Sequence, residues 1–151
     1  MELEPFRASG ESFLARGAPC SRSGPFSSRW GHYFFDTYAL IETAKGKNES
    51  YKKYLKSLAI TTKLNLLELY FVFIREGQKD IAKTLFRDFS KICVPTSDEI
   101  LMKAAEMRLD FLKLDLSYVD CIGYIISQQL GIKFLTGDSK FKNFENVEFV
   151  K

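Results

Sequence analysis

Two aspartates each follow a short apolar segment that has the composition of a buried strand. Asp36 follows "HYFF", and Asp138 follows "IKFLTG". In an open parallel sheet, ligands bind beyond the carboxyl ends of the strands, and neighbouring strands lie only about 5 Å apart. If these two strands are neighbours, the two carboxylates repel each other unless a cation lies between them. The pair therefore indicates a cation-binding site at this edge of the sheet.

Two further acids have both a structural and a functional interpretation. Glu68 lies in "LNLLELYFVFI", a helix that is apolar almost all round, where a charge is costly unless it is paired or bound to a metal. The alternative is a narrow polar stripe of Asn65, Glu68 and Arg75 that faces water. Asp120 fits a capping box with Ser117, and this pattern by itself favours capping over ligand binding. Spacing alone leaves both questions open.

The elements that would position these acids alternate between short strands and helices. The predicted strands are "HYFF", "KICVP", "IKFLT" and "VEFVK". The predicted helices are "TYALIETAKG", "TTKLNLLELYFVFIRE", "QKDIAKTLFRDF", "TSDEILMKAAEMRLDFLK" with Ser97 as its N-cap, and "SYVDCIGYIISQQLG"; "SYKKYLKSLA" is amphipathic. Strands separated by helices form a parallel sheet that is covered on both faces. We therefore predict an α/β domain over residues 32–151, with three layers (α/β/α) and a short central parallel sheet.

Residues 1–31 differ in composition from the rest of the chain. They hold three of the four prolines and four of the nine glycines, and they contain no lysine, isoleucine or valine. Such a segment has little hydrophobic periodicity from which to build a core. It is interpreted as a leader or a disordered segment in preference to a basic arm that contacts a partner.

Composition and missing motifs exclude several classes of protein. The three cysteines are far apart and form no CxxC pair, which favours a reducing compartment without disulfides or a zinc site. The longest apolar run is too short to span a bilayer, so a cytoplasmic protein without a membrane partner is expected. His32 is the only histidine, which excludes a ribonuclease that uses a histidine pair. The net charge of +3 neither requires nor excludes a nucleic-acid partner.

Taken in order, the acidic motifs resemble the PIN-domain family, which are metal-dependent nucleases that include the VapC-type toxins. A hydrophobic strand running into Asp-(Ser/Thr)-x-x-Leu/Ile is matched by "YFFDTYALIE". The glutamate within an apolar helix is matched by Glu68, and the aspartate that opens a late helix by Asp120. The closing Thr-x-Asp followed by phenylalanine is matched by "IKFLTGDSKF". The resemblance covers the chain from about His32 to its end.

The resemblance implies a set of site residues. Asp36, Glu68, Asp120 and Asp138 would bind Mg²⁺ or Mn²⁺ and carry the catalysis. The hydroxyls of Thr37 and Thr136 would support these carboxylates or position a phosphate, although threonine is also a routine turn and cap residue. Many members carry a further acid where this chain has Lys140, so a second ion would bind weakly. Lys140 and Lys142 are candidates for RNA contacts. For the two further acids nearby in sequence, Glu42 and Asp115, solvated or capping roles are favoured.

The function implied by the resemblance is a metal-dependent endoribonuclease that hydrolyses RNA phosphodiester bonds, as the toxin of a prokaryotic toxin–antitoxin pair. A homodimer and a small antitoxin protein are the implied protein partners, and the helices between Leu64 and Phe89 are a candidate surface for them. One alternative is a catalytically inactive PIN-like module that binds RNA or protein. Another is a phospho-acceptor receiver domain. That class needs an aspartate at the end of the middle strand, whereas the middle strand predicted here ends in "KICVP".

Overall fold

Four parallel strands form the centre of the fold in the order β2-β1-β3-β4. The computed structural model describes residues 32–151, so the interpretation of residues 1–31 lies outside the described part of the chain. The strands are β1 (His32–Phe35), β2 (Leu58–Ile60), β3 (Lys133–Thr136) and β4 (Val147–Phe149). The helices are α1 (Thr37–Lys45), α2 (Glu49–Lys52), α3 (Lys63–Arg75), α4 (Lys79–Phe89), α5 (Asp98–Asp110) and α6 (Tyr118–Leu130).

The helices cover the two faces of the sheet in two separate layers. Successive strand residues point to opposite faces, so Phe34 and Phe134 pack with α5 and α6, whereas Phe35 and Leu135 pack with α1 to α4. Phe34 and Phe134 stack with ring centroids 5.8 Å apart. The predicted three-layer α/β/α architecture with a central parallel sheet is confirmed.

Helix boundaries follow the polar residues that the sequence places there. Ser97 caps α5 by accepting a hydrogen bond from the Ile100 N–H at 3.3 Å, as predicted. At α6, Ser117 and Asp120 form the predicted reciprocal capping box. The helix ends at Gly131, which adopts a positive φ of 64° that glycine allows without strain.

The prediction was wrong for two neighbouring segments. "KICVP" is not a strand: residues Ser90–Ile92 form a 3₁₀ turn after α4, and Cys93 makes only an isolated bridge with Thr61. The remaining strand is instead β2, at one edge of the sheet, which closes the amphipathic segment "SYKKYLKSLA" after α2 and a 3₁₀ turn over Lys53–Lys56. Because β2 has only three residues and exposes Leu58, it is too short for an alternating pattern to reveal it.

No helix within residues 32–151 combines the length and the hydropathy that a membrane span requires.

Candidate active site

The carboxyl ends of β1 and β3 lie side by side, at the position where the strand order reverses. Phe35 is in register with Leu135, and the Asp36 N–H donates to the Leu135 carbonyl at 3.2 Å. Asp36 and Asp138 therefore follow neighbouring strands, as the sequence argument required. In doubly wound sheets this reversal point opens the crevice in which ligands bind.

A third carboxylate reaches the same crevice from α6. The helix packs against β1 and β3, and its first turn places Asp120 beside the strand ends. The result is an open pocket of about 290 Å³. Its lining residues are Asp36, Tyr38, Asp120, Gly137, Asp138, Ser139 and Lys151. Three of the four predicted acids thus line one pocket.

Each of these three aspartates also caps a local element. Asp36 Oδ1 accepts from the Ala39 N–H at 2.6 Å at the start of α1, and Asp138 Oδ1 accepts from the Lys140 N–H at 2.9 Å. Asp120 Oδ2 accepts from the Ser117 N–H at 3.1 Å. The capping interpretation of Asp120 is therefore confirmed, and it does not compete with pocket lining. A cap occupies one carboxylate oxygen and fixes the orientation of the other.

Asp36 is the most deeply buried acid of the site. It is 2% exposed, and burial raises its pKa from 3.8 to about 7. Hydrogen bonds from the Thr136 hydroxyl and the Ala39 N–H favour its ionised form, whereas the charges of Asp120 and Asp138 oppose it. The ionised carboxylate is thus held in a pocket with two further acids, a situation that a bound cation would relieve.

Glu68 joins this group through electrostatics and through Thr37. Burial raises the pKa of Glu68, a hydrogen bond from the Thr37 hydroxyl lowers it, and the charge of Asp120 raises it. The pKa of Asp120 is in turn raised by burial and by Asp138, and it is lowered by Ser117 and by Lys140. The charge of Asp120 therefore interacts with each of the other three predicted acids.

The polar-stripe alternative for α3 is wrong. Asn65 is fully buried and hydrogen-bonds Thr37, whereas Arg75 is exposed and lies over the Phe71 ring at 5.6 Å. Asn65 and Glu68 are three residues apart and share the inward face of the helix. Both polar side chains therefore turn towards Thr37 at the start of α1, with Asn65 buried and Glu68 half-buried.

The predicted lysines and spare acids occupy different places. The Lys140 Nζ donates to the Asp115 carbonyl at 2.7 Å, and its charge acts on Asp120. Lys142 is exposed at the end of the 3₁₀ turn Ser139–Phe141, and neither of the two lysines is among the pocket-lining residues. The Asp115 side chain is 87% exposed and lies 3.8 Å from Arg108. Glu42 acts on the Tyr38 hydroxyl, whose pKa is raised chiefly by burial and further by this charge.

Several pocket-lining residues were not predicted from the sequence, among them Lys151, Tyr38 and Ser139. Lys151 lines the pocket because β4 delivers it there: the Val150 N–H donates to the Thr136 carbonyl at 2.9 Å, and the Tyr51 hydroxyl donates to the Val150 carbonyl at 2.8 Å. Tyr38 lies directly over Gly137, where an added Cβ would come within 2.1 Å of the ring. The glycine of "TGD" is a signal for such a close approach, but its partner Tyr38 cannot be identified from the sequence.

The donor set fits a hard divalent cation. Within residues 32–151, no group of three or more His, Cys, Asp or Glu side chains is placed so that it could hold a metal ion. Mg²⁺ does not require such a group, because it usually keeps several waters and takes only one or two carboxylates directly. Carboxylate oxygens suit Mg²⁺ and Mn²⁺, and neither of the cysteines that the structure describes, Cys93 and Cys121, is among the pocket-lining residues.

The fold and pocket define a doubly wound α/β domain with an acidic crevice at its switch point. The PIN-domain family model matches residues 33–147, so the chain belongs to the PIN-domain family. No curated protein sequence matched the chain.

Three solved structures with the same fold are toxins or toxin–antitoxin complexes. VapC20 of Mycobacterium tuberculosis, a toxin that cleaves the sarcin–ricin loop, is 17% identical with a TM-score of 0.66, covering 79% of this chain and 99% of that one. A toxin–antitoxin complex from Klebsiella pneumoniae is 16% identical with a TM-score of 0.61, covering 77% and 95%. VapBC2 of Rickettsia felis, bound to a promoter DNA fragment, is 16% identical with a TM-score of 0.60, covering 79% and 97%. The TM-scores establish a common fold.

Proposed function

We propose that this protein is a divalent-metal-dependent endoribonuclease that hydrolyses RNA phosphodiester bonds. The observation that carries the proposal is the environment of Asp36, which is 2% exposed and faces the charges of Asp120 and Asp138. Holding three acids in one crevice costs free energy unless a cation neutralises them. Membership of the PIN-domain family supports the same conclusion.

In this proposal, the four acids Asp36, Glu68, Asp120 and Asp138 hold Mg²⁺ or Mn²⁺. When bound, such an ion activates a water for in-line attack and neutralises charge on the scissile phosphate. The hydroxyl of Thr136 orients the Asp36 carboxylate, and the hydroxyl of Thr37 orients that of Glu68. These contacts support the roles expected of the two threonines, since hydrogen-bonding partners of ligating carboxylates tune a metal site.

Positive side chains at the crevice fit a phosphate-containing substrate. Lys140 acts on Asp120, and Lys151 lines the pocket directly. Lysines beside the acids attract the RNA backbone and position it without reading its sequence. In this proposal, Lys142 contacts the RNA backbone farther from the crevice than Lys140 does. RNA as the substrate is supported by VapC20, a structurally similar toxin that cleaves the sarcin–ricin loop.

The proposed biological setting is a toxin–antitoxin pair, in which the protein forms a homodimer and is held inactive by a small antitoxin. Support comes from the similar toxin–antitoxin complexes and from an apolar face of α3 and α4. The large apolar side chains exposed there are Leu67, Phe71, Ile74 and Ile81. We expect the purified protein to be a dimer by native mass spectrometry, and Phe71→Lys to weaken either dimerisation or antitoxin binding. An unchanged monomer that no antitoxin inhibits would contradict this setting.

The proposed activity is tested by cleavage of generic single-stranded RNA with Mn²⁺, with EDTA, and by Asp36→Asn. We expect cutting that requires Mn²⁺ and that the substitution abolishes. Circular dichroism must show that the variant is folded, and asparagine retains the cap at α1 because it is a favoured N-cap residue. Equal activity in EDTA or in the variant would overturn the proposal.

A catalytically inactive PIN-like module that binds RNA or protein is the second candidate. The observation that favours it is that, within residues 32–151, no group of three or more His, Cys, Asp or Glu side chains is placed so that it could hold a metal ion. The two candidates differ in their response to Mn²⁺. A nuclease site is stabilised thermally by Mn²⁺, because a ligand that binds only the folded state raises the melting midpoint. An inactive module shows no shift and binds RNA equally well in EDTA.

A further inference from the structure

A directional series of hydrogen bonds runs from the N-cap of α3 to the acidic site. The Asn65 N–H donates to Thr62 Oγ1 at 3.3 Å, and the Thr62 hydroxyl donates to Asn65 Oδ1 at 2.6 Å. The Asn65 Nδ2 donates to Thr37 Oγ1 at 3.2 Å, and the Thr37 hydroxyl donates to Glu68 Oε2. Thr62 and Asn65 are fully buried. The series is therefore shielded from water until it reaches Glu68.

Only one orientation of the Asn65 amide satisfies every donor in this series. Thr62 Oγ1 already accepts from a backbone N–H, so its own hydrogen needs an acceptor, and Asn65 Oδ1 supplies it. The amide NH₂ group must then face Thr37. If the amide were reversed, the buried Thr62 hydrogen would lose its acceptor, and leaving a buried donor unsatisfied is costly.

This orientation decides where the Thr37 hydrogen points. Because Thr37 Oγ1 accepts from the Asn65 amide, its hydrogen is directed to the Glu68 carboxylate. Thr37 is also the first residue of α1, directly after Asp36, whereas Glu68 lies one helical turn beyond Asn65 on α3. Through Thr37, Asn65 thus links the start of α1, next to Asp36, to the turn of α3 that carries Glu68.

We propose that Asn65 is a positioning residue for the metal-dependent reaction, acting through the Thr37 hydroxyl to fix the orientation of the Glu68 carboxylate. The inference rests on the proposed function, because it gives Glu68 a metal-binding role. It assigns Asn65 no contact with substrate or metal. Residues that orient a ligating carboxylate in this way typically change metal affinity or activity by about 10–100-fold when they are replaced.

The test uses Asn65→Leu, which keeps the branching and the number of side-chain heavy atoms but can neither donate nor accept. The readouts are the Mn²⁺ concentration that gives half of the maximal shift in melting midpoint, and kcat/KM for RNA cleavage. The matched control is Ser127→Ala, which removes another fully buried polar group whose hydroxyl donates to the Tyr124 carbonyl in α6. We expect Asn65→Leu to raise the Mn²⁺ requirement by about 10-fold or more, and the control to leave it unchanged.

A double-mutant cycle with Thr37→Val separates positioning from general stability. If Asn65 acts through Thr37, the Asn65→Leu change adds little to the Mn²⁺ requirement once the Thr37 hydroxyl is absent, so the two effects are not additive. If Asn65→Leu does not fold, Asn65→Asp replaces it. That variant keeps the acceptor for Thr62 but can no longer donate to Thr37, so the Thr37 hydrogen is drawn away from Glu68.

The outcomes distinguish this inference from the proposed function. A normal Mn²⁺ requirement in a folded Asn65 variant, or additive effects in the cycle, would overturn the positioning role while leaving the nuclease intact. Wild-type protein that neither binds Mn²⁺ nor cuts RNA would overturn the proposed function, and this inference with it. A Mn²⁺ requirement raised equally by Ser127→Ala would show that loss of any buried polar group suffices, which also refutes the positioning role.

Discussion

Replacing Asp36 by asparagine should stabilise the metal-free protein at alkaline pH while abolishing its activity. The charge of Asp36 is buried beside two further acids, and burial raises its pKa from 3.8 to about 7. Asparagine has nearly the same shape, can accept the 2.6 Å bond from the Ala39 N–H, and carries no charge. The substitution therefore removes an electrostatic cost and keeps the helix cap.

The size of the effect follows from the pKa. A carboxyl whose pKa rises from 3.8 to about 7 on folding lowers the free energy of unfolding at pH 8 by up to on the order of 4 kcal/mol. Relaxation of the pocket and entry of water reduce this cost, so we expect about 1–4 kcal/mol of stabilisation. For a chain of this size the melting midpoint rises by roughly 2–4 °C for each kcal/mol.

Thermal melting in EDTA at several pH values measures this effect. The stabilisation should be largest at pH 8 and should shrink as the pH falls from about 7 towards 4, because the wild-type carboxyl then becomes protonated in the folded state. Glu106→Gln is the control, since it neutralises an exposed acid on α5 and should change stability by less than about 0.5 kcal/mol. A variant that is less stable than wild type at pH 8 would refute the claim that Asp36 is an uncompensated buried charge.

Three further predictions concern pH, the glycine of the pocket and the lysines. The metal-free wild type should lose stability as pH rises from about 4 to about 7, because the folded state holds the Asp36 proton that the unfolded state releases. Mn²⁺ should therefore raise the melting midpoint more at pH 8 than at pH 5.5. Calorimetry showing equal shifts at the two pH values would contradict this. Gly137→Ala places a Cβ against the Tyr38 ring and should displace the end of β3, which should lower kcat/KM on the order of 100-fold. Unchanged initial rates would show that the contact is unimportant. Lys140→Met should raise the KM for RNA more than Lys142→Met, because the charge of Lys140 acts on Asp120, and it should reduce the slope of log(kcat/KM) against log salt by about 0.7. Equal effects of the two variants would refute this difference between the lysines.

The strand ends and helix caps could be predicted because their signals are local. "HYFF" before Asp36 and "IKFLTG" before Asp138 are apolar runs that stop at a carboxylate. The point where the strand order of a parallel sheet reverses brings two such strand ends together. Ser97 and the pair Ser117 and Asp120 are N-cap patterns that depend only on a few neighbouring residues. These features needed no knowledge of distant contacts.

The parts that sequence could not predict depend on contacts between distant segments. Asn65 was grouped with Arg75 on a solvated stripe, but its partner Thr37 is 28 residues away, and only the packing of α1 against α3 brings them together. Lys151 reaches the pocket because β4 adds to the edge of the sheet beside β3. The strand β2 is too short to show a period, and pairing with β1 is what makes it a strand.

The most direct test of a cation at this site is anomalous diffraction from crystals grown with Mn²⁺. The account predicts an anomalous peak in the pocket lined by Asp36, Asp120 and Asp138, and the loss of that peak in crystals of Asp36→Asn. An empty pocket at Mn²⁺ concentrations that support RNA cleavage, or a peak that lies elsewhere on the protein, would contradict the claim that these acids converge to bind a metal ion.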